Sequence, residues 1–337
     1  MKLINLTEEF QNCSTDNINS TSDNGNNYGL TFRISVCALI ILIALAAFFG
    51  NLAVIVISYR EEKLRHQIGN FLIVILSSID VVTSIFVIFP SAVAMAADFW
   101  PFGIINCRVS ATFNYVCACS SSHAASMISF DRALAIFYAL KYQAIMTPKF
   151  MTGIATWILL NGAFCLLLVL IYSWNTISYN YSESVCAAEF TDYGARIHMF
   201  SASVSCFVVP SIIVIISNVI IVKQIRNSSK VVPRQMVSLE AMSFNQTIQR
   251  RRDMEMRKSV YSMMAVVIVY FICFTPYSLT KQGKAITDID APAWLNIVST
   301  IMMFISSATN PFIYGILRKD YRDGFKKIGR LLREKFY

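Results

Sequence analysis

Two acidic side chains stand inside long apolar runs of this sequence, where a charge is costly. Asp131 is followed directly by Arg132 at the end of a run of apolar and small residues, Val109 to Phe130. Cys107 lies 25 residues before Arg132, which corresponds to about 37 Å along an α-helix. Since the hydrocarbon core of a bilayer is about 30 Å thick, a helix here would hold a cysteine at one membrane face and an acid–base pair at the other.

Asp80 is alone in the apolar run from Phe71 to Pro90. A carboxylate near the middle of a membrane costs about 2.5–3.5 kcal/mol on insertion scales, so such a residue is by default a candidate functional site. The alternative is a structural carboxylate with hydrogen-bond partners. Asn51 in the preceding apolar run is also polar, and because a polar side chain in lipid needs a partner across a helix interface, we expect it to pair with Asp80.

Other kinds of chemistry find little support in the sequence. His66, His123 and His198 are scattered and form no cluster with metal-ligand spacing, so an enzyme is not indicated. The basic residues flank apolar runs, so no nucleic-acid partner is expected. Asp80 is the only carboxylate deep in a run, whereas a transporter or channel would be expected to show more intramembrane charges.

Seven apolar runs can position these residues. Hydrophobic residues make up 55% of the chain and charged residues only 15%, against roughly 25% charged residues in soluble domains. Each run exceeds the 18 or so residues that indicate a transmembrane helix. The predicted fold is therefore an all-α membrane protein, a seven-transmembrane helix bundle with a short amphipathic C-terminal helix. The runs fall near 32–59, 68–96, 104–139, 150–172, 197–225, 256–282 and 291–316.

The distribution of lysine and arginine predicts the orientation. With the N-terminus outside, 23 of the 29 basic residues lie on the cytoplasmic side, an excess that sets topology by the positive-inside rule. We therefore expect a multi-pass protein of the plasma membrane with an extracellular N-terminus. Residues 1–30 form an extracellular glycosylated tail, 31–317 the transmembrane domain and 318–337 a cytoplasmic amphipathic helix. That helix would rest on anionic membrane lipid with one apolar face, made of Tyr321, Phe325, Ile328 and Leu332.

The tail and the cysteines carry further predictions. Three glycosylation sequons begin at Asn5, Asn12 and Asn19. Of the nine cysteines, those at 37, 117, 119, 165, 206 and 273 lie inside the runs, where we expect small apolar fillers. Cys13, Cys107 and Cys186 remain on the outer, oxidising side, which allows one disulfide and leaves one odd thiol.

Nine short motifs follow one another along the chain: Gly50-Asn51, Leu76-Ser-Ser-Ile-Asp80, Cys107, Asp131-Arg132-Ala133, Trp157, Cys186, Pro210, Cys273-Phe-Thr-Pro276 and Asn310-Pro-Phe-Ile-Tyr314. In these motifs and in their order, the chain resembles the rhodopsin-like (class A) G-protein-coupled receptors, and overall the amine receptors among them. The resemblance covers about 300 residues, from the first run to the amphipathic tail.

The resemblance implies roles for these residues. Cys107 and Cys186 are paired in a disulfide, which leaves Cys13 unassigned. Arg132 pairs with Asp131 in the inactive state and faces a heterotrimeric G protein in the active one; mere snorkelling of the arginine is the alternative. The remaining predicted coupling residues are Leu140, Asn310, Pro311 and Tyr314.

The same resemblance places a sodium-binding cluster at Asp80, Ser121, Ser306 and Asn310. A carboxylate with hydroxyl and amide oxygens is a ligand set for a hard cation, although Ser306 stands where the family more often has an asparagine. We predict no cofactor other than this structural sodium ion, which would stabilise the inactive state.

The ligand side departs from the amine receptors. Those receptors carry an aspartate at the position of Asn114, and its carboxylate pairs with the ligand ammonium. Asn114 supplies no charge, so we expect a small neutral or anionic extracellular ligand. Lys281 could bind an anionic group, or it could simply be solvated in the outer loop. The predicted pocket residues are Asn114, Tyr115, Ala118, Ser203, Cys206, Tyr277, Lys281, Asn296 and Thr300.

Two further departures bear on function. The segment 136–147 resembles the second inner loop of melanocortin receptors, but Pro90, Cys107 and Ala111 stand where those receptors have outer acids, so their basic peptide ligands are not implied. Ser122 and Tyr270 stand where the family usually has an apolar pair.

The predicted function is a receptor that couples a small ligand to G proteins. The alternatives are an amine- or peptide-binding receptor of the same class, and a decoy receptor that does not couple.

Overall fold

A computed structural model of the chain describes residues 29–336 except 66, 68, 139–140, 190–192, 232–243 and 288. At 195, 225–231, 244–260, 262–263, 332 and 335–336 the backbone alone is described. The three sequons, Cys13 and Leu140 lie outside the described residues, so the predictions made for them stay predictions. We call the end of the bundle with Cys107 the outer end and the end with Arg132 the inner end, following the orientation predicted above.

Eight long helices account for most of the described residues, and seven of them pack side by side. Two one-turn helices, Glu62–Arg65 and Tyr142–Ile145, lie at the inner end. The long helices are Leu30–Arg60 (α1), Asn70–Ala97 (α2), Gly103–Phe137 (α3), Pro148–Leu168 continued by Val169–Ser173 and Trp174–Thr176 (α4), Tyr193–Ser203 continued by Val204–Val208 and Val209–Val231 (α5), Phe244–Thr287 (α6), Ala293–Leu317 (α7) and Lys319–Phe336 (α8).

Six of these helices, α1, α2, α4, α5, α6 and α7, are long and apolar enough to cross a membrane. The third helix, α3, has 35 residues but a less apolar composition, because its buried positions are mostly Ser, Ala and Cys. It contacts α2, α4, α5 and α6, and small side chains let helices approach closely inside a membrane. The helix that carries the largest number of predicted site residues is therefore also the one that lies at the centre of the bundle.

Wide helical turns precede two of the prolines. Proline lacks an N–H group, and its ring clashes with the carbonyl four residues earlier. A π-helical turn, Ser84–Ile88, comes directly before Phe89 and Pro90 in α2, and a second, Val204–Val208, directly precedes Val209 and Pro210 in α5. Such turns relieve the clash without ending the helix. In α6 and α7 the helix continues through Pro276 and Pro311.

The prediction that Asn51 pairs with Asp80 is wrong, because Asn51 bonds to other groups. The side-chain amide of Asn51 donates to the backbone carbonyls of Ala47 and of Ser307 on α7, at 2.8 and 2.9 Å. Gly50 permits a close approach of α1 to α7, because a Cβ atom at this position would lie only 2.9 Å from the Pro311 ring. Asn51 thus joins α1 to α7 by a hydrogen bond, and the Asp80 carboxylate is bonded by a different residue.

The amphipathic helix α8 lies against the inner end of α1. Tyr321 is fully buried, Phe325 and Ile328 are half-buried, and the basic residues around them are exposed. The Tyr321 hydroxyl bonds the side chains of Ser58 and Asn70. The predicted apolar face exists at these three positions, while the Leu332 side chain is not described.

Candidate ligand pocket and inner coupling face

A short β-hairpin covers the outer end of the bundle. Strands Ile177–Asn180 (β1) and Val185–Ala188 (β2) pair in antiparallel register, with Tyr179 opposite Cys186. The predicted disulfide between Cys107 and Cys186 is present, and it ties β2 to the first turns of α3. The hairpin therefore lies over the region where the predicted pocket residues converge.

The turn of this hairpin is bonded to three other helices. The Ser91 hydroxyl on α2 donates to the carbonyl of Ser184 at 2.5 Å. The Asn296 amide on α7 donates to the Ser182 hydroxyl at 3.2 Å. Glu183 forms an ion pair with Lys281 on α6. The turn thus acts as a plug held by α2, α6 and α7 as well as by the disulfide to α3.

The Lys281–Glu183 pair is almost completely out of solvent, with side-chain exposures of 5% and 4%. The alternative of a lysine solvated in the outer loop is therefore wrong. The Lys281 ammonium also lies 5.5 Å from the centre of the Tyr277 ring, within reach of a cation–π contact. A buried charge destabilises the folded protein unless it has a partner of opposite charge. Glu183 in the hairpin is that partner for Lys281.

Beneath this pair, Asn114 and Tyr277 connect α3 to α6. The Asn114 amide donates to the Tyr277 hydroxyl at 3.2 Å, and both side chains are buried. Sequence reasoning found these two residues but missed Glu183. The signal for Glu183 was its place three residues before Cys186, since a cysteine bonded to α3 brings the preceding turn over the bundle.

The other predicted pocket residues do not all face one cavity in the same way. The Tyr115 hydroxyl accepts the backbone N–H of Ala188 at 3.1 Å, so it supports the hairpin. Thr300 is buried and donates to the carbonyl of Asn296. Ala118 and Ser203 are half-buried. Cys206 instead points at two other cysteines on α3 and α4.

At mid-bundle, Asp80 is 2% exposed and accepts a hydrogen bond from the Asn310 amide at 2.7 Å. The Ser307 side chain is a second polar neighbour of this carboxylate. The hydroxyl of Ser306 turns away and donates to the carbonyl of Met303 at 2.6 Å. The structure thus brings Asn310 to the carboxylate as predicted and adds Ser307, while Ser306 and the buried Ser121 make no described bond to it.

The residue that is bonded to this carboxylate also carries an oxygen suited to a hard cation. The Asn310 side-chain oxygen is buried and has no hydrogen-bond partner among the described residues, although its amide nitrogen is bonded to Asp80. Carboxylate and amide oxygens are ligands that sodium and other hard cations accept. The residues present therefore fit the predicted ion.

At the inner end, Asp131 and Arg132 form the predicted ion pair. The Tyr142 hydroxyl in the second inner loop donates to the other carboxylate oxygen at 2.6 Å. Burial raises the pKa of Tyr142, so the hydroxyl keeps the proton that it donates. Arg132 lies so close to Gly69 that a Cβ atom there would overlap its guanidinium. Arg132 is therefore held by a pocket and does not merely snorkel.

The remaining predicted coupling residues lie on α7. Tyr314 is fully buried, and its ring stacks on Tyr321 of α8 with 5.5 Å between centroids. Its hydroxyl has no hydrogen-bond partner in the described part of the chain. Pro311 packs against α1 at Gly50. The inner end of α7 is thus connected to both α1 and α8.

A polar contact joins α3 and α6 between the two ends. The hydroxyls of Ser122 and Tyr270 lie 2.9 Å apart, and Tyr270 also donates to the carbonyl of Ala118 at 3.2 Å. The departure noted in the sequence is therefore a hydrogen-bonded pair. It holds the two helices together midway between the ligand region and Arg132.

Comparison with known proteins agrees with this geometry. The model of the 7 transmembrane receptor (rhodopsin family) matches residues 50–314. Melatonin receptor type 1A of Phodopus sungorus is 26% identical over 291 residues, which cover 83% of this chain and 75% of that receptor. Octopamine receptor beta-1R of Drosophila melanogaster is 25% identical over 325 residues, covering 91% and 64%. 5-Hydroxytryptamine receptor 4 of Rattus norvegicus is 22% identical over 330 residues, covering 92% and 79%.

These matches confirm the predicted rhodopsin-like class and its similarity to amine receptors, and they agree with the helical bundle and the disulfide described above. The family consists of signalling receptors that are not enzymes. The chain therefore belongs to the rhodopsin family of seven-transmembrane receptors and is a multi-pass G-protein-coupled receptor.

Proposed function

We propose that this chain is a plasma-membrane receptor with an extracellular N-terminus, and that it transmits binding of a small neutral ligand to a heterotrimeric G protein. The observation that carries the ligand class is the buried pair of Lys281 and Glu183 above Asn114 and Tyr277. Each charge already has its partner, so an anionic or cationic ligand would have to break a buried ion pair, which is costly. A neutral ligand can use the amide and hydroxyl groups without that cost.

The receptors named for octopamine and 5-hydroxytryptamine among the relatives favour a second candidate, a protonated amine. Such a ligand would need a carboxylate, and Glu183, a buried carboxylate beside the predicted pocket residues, is already paired with Lys281. The relative named for melatonin leaves the ligand class open. Neutral ligands remain the first choice because Asn114 supplies no charge.

A ligand panel separates these candidates. Cells that express the chain are exposed to neutral, cationic and anionic compounds of matched size, and second messengers are recorded. We expect responses among the neutral compounds.

Asn114→Asp should weaken such a response about tenfold, because the new carboxylate must be desolvated. A strong wild-type response to amines alone would contradict the neutral class, and failure of an activated receptor to catalyse guanine-nucleotide exchange on a purified G protein would indicate a decoy.

We also propose that sodium binds at Asp80 with Asn310 and stabilises the inactive receptor. Sodium chloride in place of an organic-cation chloride should raise the melting temperature by about 2–5 °C, because a ligand of the folded state stabilises it. Asp80→Asn should remove the shift.

Two neighbouring serines provide the matched comparison for this site. Ser307→Ala should reduce the sodium effect because its hydroxyl reaches Asp80, whereas Ser306→Ala should not, because that hydroxyl is bonded to Met303. Equal sodium shifts in the wild type and Asp80→Asn would rule the site out.

A further inference from the structure

Three buried cysteines from three helices meet beneath the hairpin. Cys119 of α3, Cys165 of α4 and Cys206 of α5 have their sulfur atoms within 4.8 Å of one another. Their exposures are 0%, 1% and 9%, and all three are free thiols. The expectation that cysteines inside the spans are only apolar fillers does not explain why these three converge on one point.

A histidine lies near one of the three thiols, that of Cys165, although its ring nitrogens lie outside the group of sulfur atoms within 4.8 Å of one another. His198 of α5 is fully buried and lies near Cys165. Its Nδ1 lies 2.5 Å from the Ser173 hydroxyl, while its Nε2 is buried without a hydrogen-bond partner among the described residues. A proton on Nδ1 satisfies Ser173 and leaves a lone pair on Nε2, which is the arrangement found in metal-ligating histidines.

The chemistry of this set selects the ion. Three cysteines and one histidine form a common structural zinc site with tetrahedral geometry. Zinc–sulfur bonds of about 2.3 Å in a tetrahedron place the sulfurs about 3.8 Å apart, so the thiols need to approach one another by at most about 1 Å. The His198 ring, which lies outside the 4.8 Å group, must also move toward the thiols to complete the site. Zinc with three thiolates and a neutral imidazole has a net charge of −1. Monovalent copper would leave −2, which is less favourable in a low-dielectric interior.

We propose that Cys119, Cys165, Cys206 and His198 bind one zinc ion that joins α3, α4 and α5 below the ligand region. Each thiol that binds releases its proton to solvent, and the ion takes the place of the weak bond from Cys119 to the carbonyl of Asn161, now 3.6 Å. The Ser205 hydroxyl, which lies near Cys119 and donates to the Asn161 side-chain oxygen at 3.3 Å, can rotate to donate to the resulting thiolate. The ion would fix the outer half of α5 against its neighbours.

This site is separate from the proposed ligand function, so it is tested on metal content. The full chain is expressed with zinc in the medium and purified in detergent without a metal-affinity step, and zinc per receptor is measured by mass spectrometry. We expect roughly one ion per wild-type receptor. Cys165→Ala and His198→Ala should lower zinc occupancy at limiting zinc about tenfold or more.

A matched cysteine serves as the control. Cys117 is buried on α3 only two residues from Cys119 but lies outside the cluster, so Cys117→Ala should retain the zinc. A membrane-permeable chelator should lower the melting temperature of the wild type and of Cys117→Ala by about 5 °C, and should have little effect on Cys165→Ala. Cys165→Ser gives a smaller change of volume if the alanine variant does not fold.

The outcomes that overturn the proposal are distinct. A wild-type receptor that stays free of zinc after incubation with the ion, or one whose zinc is unchanged by Cys165→Ser, has no such site. Alkylation and peptide mapping that find two of the three cysteines in a disulfide would also refute it. In the wild type, replacement of zinc by cobalt should produce a thiolate charge-transfer band, and its absence from a cobalt-loaded receptor counts against sulfur ligands.

Discussion

Glu183→Gln is expected to lower the melting temperature of the receptor by on the order of 10 °C. The substitution leaves the Lys281 ammonium buried without a counter-charge, at 5% side-chain exposure. Breaking a buried ion pair by removing one partner costs about 3–5 kcal/mol, which corresponds to a shift of that order for a protein of this size. Thermal denaturation of the purified receptor, followed with a thiol-independent dye, measures the effect.

Two variants show whether the pair itself is responsible. Glu189 is an exposed glutamate next to the same hairpin and accepts a hydrogen bond from Ser178, so Glu189→Gln should change the melting temperature by no more than about 1–2 °C. Adding Lys281→Met to Glu183→Gln should restore most of the stability, because the unpaired buried charge is gone. If Glu183→Gln and Glu189→Gln were equally stable, the ion pair would not hold the plug in place.

Gly69→Ala is expected to raise ligand-independent signalling about fivefold or more. A Cβ atom at Gly69 would overlap the guanidinium of Arg132 and lie 2.8 Å from the carboxylate of Asp131. The pair cannot keep its geometry beside a methyl group, so Arg132 would leave the carboxylate. A charge-assisted hydrogen bond contributes about 1.5–3 kcal/mol, and its loss shifts the equilibrium away from the inactive state. Basal second-messenger levels, normalised to surface expression, measure the shift.

Gly153→Ala is the matched control for this prediction. Gly153 lies in α4, and a Cβ atom there would meet no atom within 4 Å, so alanine should leave signalling unchanged. Tyr142→Phe removes one hydrogen bond from Asp131 without adding bulk and should raise basal signalling by less than Gly69→Ala. Unchanged basal signalling in Gly69→Ala, at expression equal to that of Gly153→Ala, would mean that Arg132 is not restrained by this contact.

Residue types alone predict only part of the ligand region. The absence of an aspartate at Asn114 is visible in the sequence, and the neutral ligand class that it favours stays a prediction. The sequence left Lys281 open as either a ligand contact or a solvated residue. Its burial with Glu183 depends on where the hairpin turn is placed, and that placement follows from bonds to α2, α3, α6 and α7 together.

The sequence by itself determined the features that are local in the chain. The length of each apolar run predicts a spanning helix, since each residue adds the same rise. Asp131 and Arg132 are neighbours, so their pairing required no knowledge of the fold. The apolar face of α8 follows from three- and four-residue spacing. The disulfide and the receptor class followed from marks in a known order.

Only the tertiary structure decided which side chains meet across helices. Asn51 turned to α7 instead of Asp80, and Ser307 reached that carboxylate where Ser306 did not. The meeting of Cys119, Cys165 and Cys206 likewise depends on the rotation of three helices about their axes. These rotations are set by packing over whole helix surfaces, where many small contacts add up. No single residue or spacing encodes them, which is why composition could predict the bundle but not the contacts within it.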